Sequence, residues 1–198
     1  MLNSINSNEQ MINKINEILQ NKKDAVINIV NDKLTISVFA LLEKNLQNVK
    51  EINFVIRDVK FLPHQSSIAH EFEINPTDIL FNAYDITEKN KLQHFSKARS
   101  MHDFIEKHVN VRKVNDGIHI GGNVLIIDDD FMIQGSSSLE ISQKRTQDRF
   151  SSINFDSILS GSGDKEQILV ALNTFKQIWF NNKVSTDYKQ ELLNSLLY

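Results

Sequence analysis

The stretch that decides the fold is 118-IHIGGNVLIIDDDFMIQGSSSLE-140. An apolar run begins after two adjacent glycines, Gly121 and Gly122, and ends at three consecutive aspartates, Asp128 to Asp130. A second short apolar run follows and leads into Gly135 and three serines. Two such runs separated by a polar turn predict a β-hairpin. Its polar ends leave three alternatives: an intact phosphate-handling site, the remains of one, or an ordinary hairpin.

The composition excludes several classes of protein. The chain has 198 residues, a net charge of −3 and no cysteine. The absence of cysteine excludes disulfide scaffolds, thiol nucleophiles and cysteine-ligated zinc, and it agrees with a cytoplasmic location. The apolar runs fall short of the roughly 20 residues that a membrane span requires, so no membrane partner is expected. A dedicated nucleic-acid binder usually has a basic excess. Contacts with DNA must therefore come from local clusters such as Arg112-Lys113.

Hydrophobic periodicity predicts one α/β domain over residues 1–198. A helix is expected over residues 8–20, a strand over Ala25–Val30, a second helix within Val38–Val49 and a strand over Ile52–Ile56. This order is typical of a parallel βαβ unit. The later predictions are a strand near Ile79–Tyr84, a helix over Glu88–Val109, strands at Val111–Val114, Ile118–Ile127, Phe131–Gln134 and Ile153–Leu159, and two closing helices, the first capped by Asp164. We therefore expect a mixed sheet flanked by helices.

The spacing within the hairpin resembles the phospholipase D-like superfamily. Its motif is His-x-Lys-x-x-x-x-Asp, then six residues, then Gly-Ser-x-Asn. Laid on this chain without gaps, Asp128 takes the motif aspartate, and Gly135 and Ser136 take the Gly-Ser. The stretches Thr35–Leu42 and Val49–Arg57 are similar to the family's first strand–helix–strand unit. The subgroup that the chain resembles is the N-terminal nuclease-like domain of bacterial Swi/Snf-type helicases, whose Asn-x-Glu strand falls on Asn154–Asp156. The resemblance implies a phospholipase D-like fold at the N-terminus of a larger DNA helicase.

Three side chains of that motif are missing. The motif histidine is Gly121, the motif lysine is Asn123, and the asparagine of Gly-Ser-x-Asn is Ser138. In the family one imidazole attacks phosphorus, a second protonates the leaving oxygen, and the lysine holds the non-bridging oxygens. Glycine offers no nucleophile, and Asn123 offers no positive charge. Asp128, which the family uses to orient the histidine, has no imidazole to orient.

The resemblance therefore implies a catalytically degenerate domain that serves as a nucleic-acid-binding or dimerisation module, with no cofactor. No metal is expected at Asp128 to Asp130, because adjacent carboxylates at a strand end point to alternate faces. The family active site needs two motif copies and this chain carries one. The resemblance thus also implies a symmetric homodimer.

Two alternatives stay open. The first is an active, metal-independent endonuclease or phosphodiesterase that uses His119 together with Asp128. On a regular strand His119 would lie roughly 6.6 Å from position 121. Attack needs about 3.5 Å, so a bulge at Gly121-Gly122 would have to re-aim the ring. The second alternative is a plain α/β interaction domain with a coincidental hairpin, which a wide separation of Asp128 from Ser136 would favour.

Overall fold

The computed structural model describes residues 3–5, 8–57, 79, 92–137, 139 and 156–197. The strands in this part of the chain are β1 (Asn3–Ile5), β2 (Ala25–Asn31), β3 (Val49–Ile56), β4 (Val109–Val114), β5 (Asn123–Ile127), β6 (Phe131–Gly135), β7 (Asp156–Ser160) and β8 (Ser185–Asp187). The helices are α1 (Asn8–Gln20), α2 (Ile36–Leu46), α3 (Leu92–His108), α4 (Lys165–Phe180) and α5 (Lys189–Leu197).

The described strands form one mixed sheet in the order β1-β7-β6-β5-β2-β3-β4-β8. The central strands β2, β3 and β4 are parallel, and every other pairing is antiparallel. β2, α2 and β3 form the predicted βαβ unit. Thr35 begins α2 because its hydroxyl accepts a hydrogen bond from the backbone N–H of Val38, which satisfies a donor that the first turn leaves unpaired. The predicted α/β class, a mixed sheet flanked by helices, is confirmed.

The two faces of the sheet are covered differently. α1, α2, α3 and α5 pack on the first face, around buried side chains such as Ile29, Phe54 and Ile127. α4 packs on the second face, where Ile168 and Phe175 contact buried side chains of the central strands. Alternate residues of each central strand therefore meet a different helix layer, which explains their nearly continuous apolar sequences. Within the described residues, no helix has the length and apolar character needed to cross a membrane.

The strand predicted over Ile118–Ile127 is wrong in its first half, because β5 begins only at Asn123. Residues 118–122 form an irregular segment that packs on the second face. Ile118 and Ile120 are half-buried in the cluster that contains Trp179, while His119 between them is exposed. The alternation of apolar and polar residues reflects this packing and not a ladder of hydrogen bonds.

The sequence also missed the edge strands β1 and β8. Each has three residues, too few to show a period, and each forms by pairing with a longer neighbour. Ser185 lies in β8. Asp164 occupies the predicted cap position but makes no capping bond; its carboxylate accepts from the Ser160 N–H. Of the strand predicted near Ile79–Tyr84, only residue 79 is described, and it is not in a strand. Residues 88–91 and 153–155, predicted to begin a helix and a strand, also lie outside the described residues.

Candidate functional site

Polar side chains converge at one end of the central strands, along the side of the sheet that is called the polar edge below. β2 and β3 end there because they are parallel, and β5 begins there because it runs antiparallel to β2. β6 ends and β7 begins at the same edge. The polar edge consists of Asn31, Arg57, Asn123, Ser136, Ser137 and Asp156. In α/β sheets the space beyond the carboxyl ends of parallel strands is the usual place for a ligand.

Asn123 stands at the centre of the polar edge, in the position of the motif lysine. Its side chain is 5% exposed. The amide nitrogen donates to the carbonyl oxygen of Ser137 at 2.8 Å, and its oxygen accepts from Nε of Arg57 at 2.5 Å. The Ser137 carbonyl accepts a second bond from Nδ2 of Asn31 at 3.2 Å. Both ends of the Asn123 amide are therefore fixed by the surrounding structure.

A buried carboxylate fixes the turn after Gly135. Asp156, 5% exposed, accepts from the backbone N–H groups of Ser136 at 2.8 Å and Ser137 at 3.0 Å. It also accepts from the Ser137 hydroxyl. Backbone N–H groups that are aimed at one point can bind an anion, but here Asp156 already takes that place. The Gly-Ser turn therefore holds an internal carboxylate, and its two N–H groups are not available to a phosphate.

Arg57 brings a positive charge to this edge. It directly follows β3 and is half-buried. Besides the Nε bond to Asn123, its Nη1 donates to the carbonyl oxygen of Ile120 at 3.4 Å. Among the described residues no carboxylate forms an ion pair with this guanidinium. The sequence reasoning did not single out Arg57 or Asn31. Their signal was a polar residue at the carboxyl end of each apolar parallel strand.

Position 121, which the motif histidine would occupy, is open. Gly121 is exposed, and a Cβ atom placed on it would have no atom of the described residues within 4 Å. Neither Gly121 nor Gly122 has a positive φ, so the backbone does not require glycine at either position. The edge thus has room for a side chain at 121 and no nucleophile there. His119 is exposed and lies outside the strand, so the regular-strand distance predicted for it does not apply.

Asp128 lies at the opposite end of the central strands, directly after β5. The length of β5, five residues or roughly 16 Å, separates it from position 121. Asp128 has a left-handed backbone with φ of 55°, and its carboxylate accepts from the Val26 N–H at 2.9 Å and from Nζ of Lys22 at 2.8 Å. This placement disagrees with the role that the resemblance implied, that of orienting a group at 121. Asp128 instead fixes the β5–β6 turn against β2.

Two lysines neutralise the carboxylates of the β5–β6 turn, Asp128 to Asp130. Nζ of Lys22 also contacts Asp130 at 2.8 Å, and Lys165 lies 3.3 Å from Asp129. Partial burial lowers the pKa of Lys22, but hydrogen bonds and charges of Asp128 and Asp130 outweigh it and hold that pKa above its ordinary value. An ammonium group therefore already lies between two of the three carboxylates.

The separation of Asp128 from Ser136 was expected to favour a coincidental hairpin. A hairpin that turns at Asp128 to Asp130 necessarily places Asp128 at one end and Ser136 beyond the other. The separation therefore follows from the spacing of the motif itself and does not discriminate between the readings. The structure brings together Gly121, Asn123, Gly135 and Ser136, leaves Asp128 apart, and does not describe Ser138.

One group in the described part of the chain could offer three metal ligands. His102, Asp103 and Glu106 lie on the surface of α3, with ligand atoms within 4.8 Å of one another. Asp103 and Glu106 are exposed, and none of the three belongs to the polar edge.

Comparisons with known proteins identify the fold. No protein-family model and no curated protein sequence matches this chain. Among solved structures, the chain is similar to Nuc from Salmonella typhimurium, a phospholipase D family member, with a TM-score of 0.51 and 11% identity over 95% of this chain and 99% of that one. It is also similar to NucT from Helicobacter pylori, with a TM-score of 0.53 and 12% identity over 95% of this chain and 99% of that one. The likeness is one of fold, and it extends over nearly the whole of each chain.

Proposed function

We propose that this chain is a catalytically degenerate phospholipase D-like domain that binds nucleic acid at its polar edge without cleaving it. The observation that carries the proposal is the pair of motif positions at that edge. Position 121 has no side chain, and position 123 is an asparagine whose amide is bonded at both ends. The fold likeness to a phospholipase D family member supports reading these positions as altered motif residues.

The chemistry of the edge suits binding better than hydrolysis. Phosphodiester cleavage by covalent catalysis needs a nucleophile and a general acid for the leaving oxygen. The described side chains of the polar edge are amides, hydroxyls, one carboxylate hydrogen-bonded to the serine turn, and one guanidinium. A guanidinium holds phosphate oxygens well but does not attack phosphorus. An intact fold with these residues is therefore expected to bind a phosphodiester and release it unchanged.

The resemblance to helicase-associated domains supplies the proposed context. In this proposal the chain is the N-terminal part of a larger DNA helicase, and two copies assemble as a symmetric dimer through the polar edge. Sedimentation velocity at micromolar concentration is expected to show a dimer, and a monomer alone would contradict that part. A reading frame that continues after Tyr198 into an ATPase motor would support the helicase context.

The test of the central proposal combines binding with cleavage. Labelled single-stranded and duplex DNA are incubated with the protein in EDTA, and binding is followed in parallel by fluorescence anisotropy over a range of salt concentrations. We expect binding that weakens as salt rises, because phosphate contacts release counterions, and no cleavage product. Absence of binding at low salt would refute the binding function.

The competing function is a metal-independent phosphodiesterase that uses His119. One observation favours it: His119 is exposed and lies on an irregular segment two residues before the open position 121. Its imidazole is therefore not restricted by a strand ladder. Cleavage in EDTA that disappears in His119→Ala would establish this function and refute degeneracy. His102→Ala is a suitable control, because it removes a second imidazole that belongs to α3.

A further inference from the structure

We infer that Arg57 supplies the positive charge that position 123 lacks, and that it is the residue on which a nucleic-acid phosphodiester binds. The inference rests on the proposed function and names the ligand group and its contact. The motif places a lysine on β5. In this chain the positive charge lies instead at the end of β3, which is separated from β5 by β2 alone.

The first argument is that the Arg57 guanidinium has no anionic partner among the described residues. Arg57 is half-buried, and both of the hydrogen bonds that it donates to described residues go to neutral oxygens, those of Asn123 and Ile120. Nη2 makes no bond within the described residues. A partly desolvated cation gains most from a nearby anion, and a guanidinium presents paired N–H groups that match two phosphate oxygens. Lys22 shows the contrast, since two carboxylates surround its ammonium group.

The second argument is position. Nη1 of Arg57 bonds the carbonyl of Ile120, the residue directly before Gly121, while Nε bonds the side chain of Asn123, two residues after it. The guanidinium therefore faces the segment that carries the open position 121. An anion bound beside Gly121 would therefore lie close to the guanidinium, at a position where no atom of the described residues comes within 4 Å of a Cβ.

The third argument concerns Asn123 itself. Its nitrogen is committed to the Ser137 carbonyl, so its oxygen must face Arg57. Asparagine thus holds the guanidinium in place, whereas a lysine there would put a second cation at hydrogen-bond distance from the first. Like charges this close repel. The asparagine at position 123 is therefore compatible with a guanidinium at position 57, whereas the motif lysine would not be.

The experiment compares three variants for binding to a short fluorescein-labelled single-stranded DNA. Arg57→Gln removes the charge, Arg57→Lys keeps it without the planar donor pair, and Lys50→Gln removes an exposed charge from the other end of the same strand. We expect Arg57→Gln to bind about tenfold more weakly and to reduce the magnitude of the slope of log K against log salt by about 0.7, the value for one phosphate contact on a single strand. Arg57→Lys should lose less, and Lys50→Gln should match the wild type.

A second measurement does not depend on whether the variants fold. The wild-type protein, labelled with nitrogen-15, is titrated with the dinucleotide dTpdT, which carries one phosphodiester, and the Nε–H resonance of Arg57 is followed by NMR. A saturable shift of that resonance supports the inference. If the wild type binds DNA while the Arg57 resonance stays fixed and Arg57→Gln keeps both affinity and salt slope, the inference fails and the proposed function stands. If the wild type binds no DNA, the proposed function itself fails.

Discussion

Replacing Asp156 by asparagine should destabilise the protein strongly, although the two side chains have nearly the same shape. The Asp156 carboxylate is 5% exposed and accepts three hydrogen bonds, from two backbone N–H groups and a hydroxyl, all in the serine turn. These bonds involve both carboxylate oxygens. An asparagine has one carbonyl oxygen, so its NH₂ group must replace the other acceptor.

The magnitude follows from counting these contacts. Hydrogen bonds to a charged acceptor contribute about 1.5–3 kcal/mol each, and neutral ones about 0.5–1.5 kcal/mol. Two contacts survive in Asp156→Asn but lose their charge, and one is lost. With the lower value of each range, three charged bonds become two neutral ones, and we expect the free energy of unfolding to fall by about 3.5 kcal/mol, which lowers the melting temperature of a domain of this size by roughly 7–14 °C.

The assay is urea denaturation followed by circular dichroism, with thermal melting as a second probe. Asp116→Asn is the matched control, because it removes the same charge from an exposed residue and should change stability by less than about 0.5 kcal/mol. A fall of less than about 1 kcal/mol in Asp156→Asn, with an unchanged dependence on urea, would refute the view that this carboxylate holds the turn.

Three further predictions test other parts of the molecule. Lys22→Met should lower the free energy of unfolding by about 1 kcal/mol at neutral pH. Because the folded pKa of Lys22 is raised, this stability difference should be complete below pH 10.5, the ordinary lysine value, and should vanish as the pH rises through the folded pKa, which urea titration at several pH values measures. Asp128→Asn should remove only part of this pH dependence. Gly121→His should leave the melting temperature nearly unchanged, because no atom of the described residues lies within 4 Å of a Cβ there and φ is not positive. A large loss of stability would show that the polar edge has no room for this side chain. The losses of unfolding free energy in Asn31→Ala and Asn123→Ala should be non-additive in urea denaturation. Both amides donate to the Ser137 carbonyl, and among the described side chains only the double variant removes both donors. Strict additivity would contradict this.

The sequence by itself determined the central architecture. A β-branched apolar run at Ala25–Val30, a helical stripe and an alternating run at Ile52–Ile56 predicted the parallel pair β2 and β3. The hairpin of β5 and β6 was predicted from two apolar runs, with its turn at the three aspartates. The spacing of Asp128 and Gly135 also led to the phospholipase D-like fold, which the structural likeness supports.

Tertiary structure alone decided how the polar edge is built. Arg57 and Asn123 are 66 residues apart along the chain, and only the sheet order, with β2 between β3 and β5, brings them into contact. The same order places Asp128 at the far edge, because a strand of fixed rise separates the two ends of a hairpin. Whether His119 lay on a strand likewise depended on packing against α4, which no local pattern encodes. Local periodicity specifies which residues are buried, whereas the identity of their partners depends on contacts between distant segments.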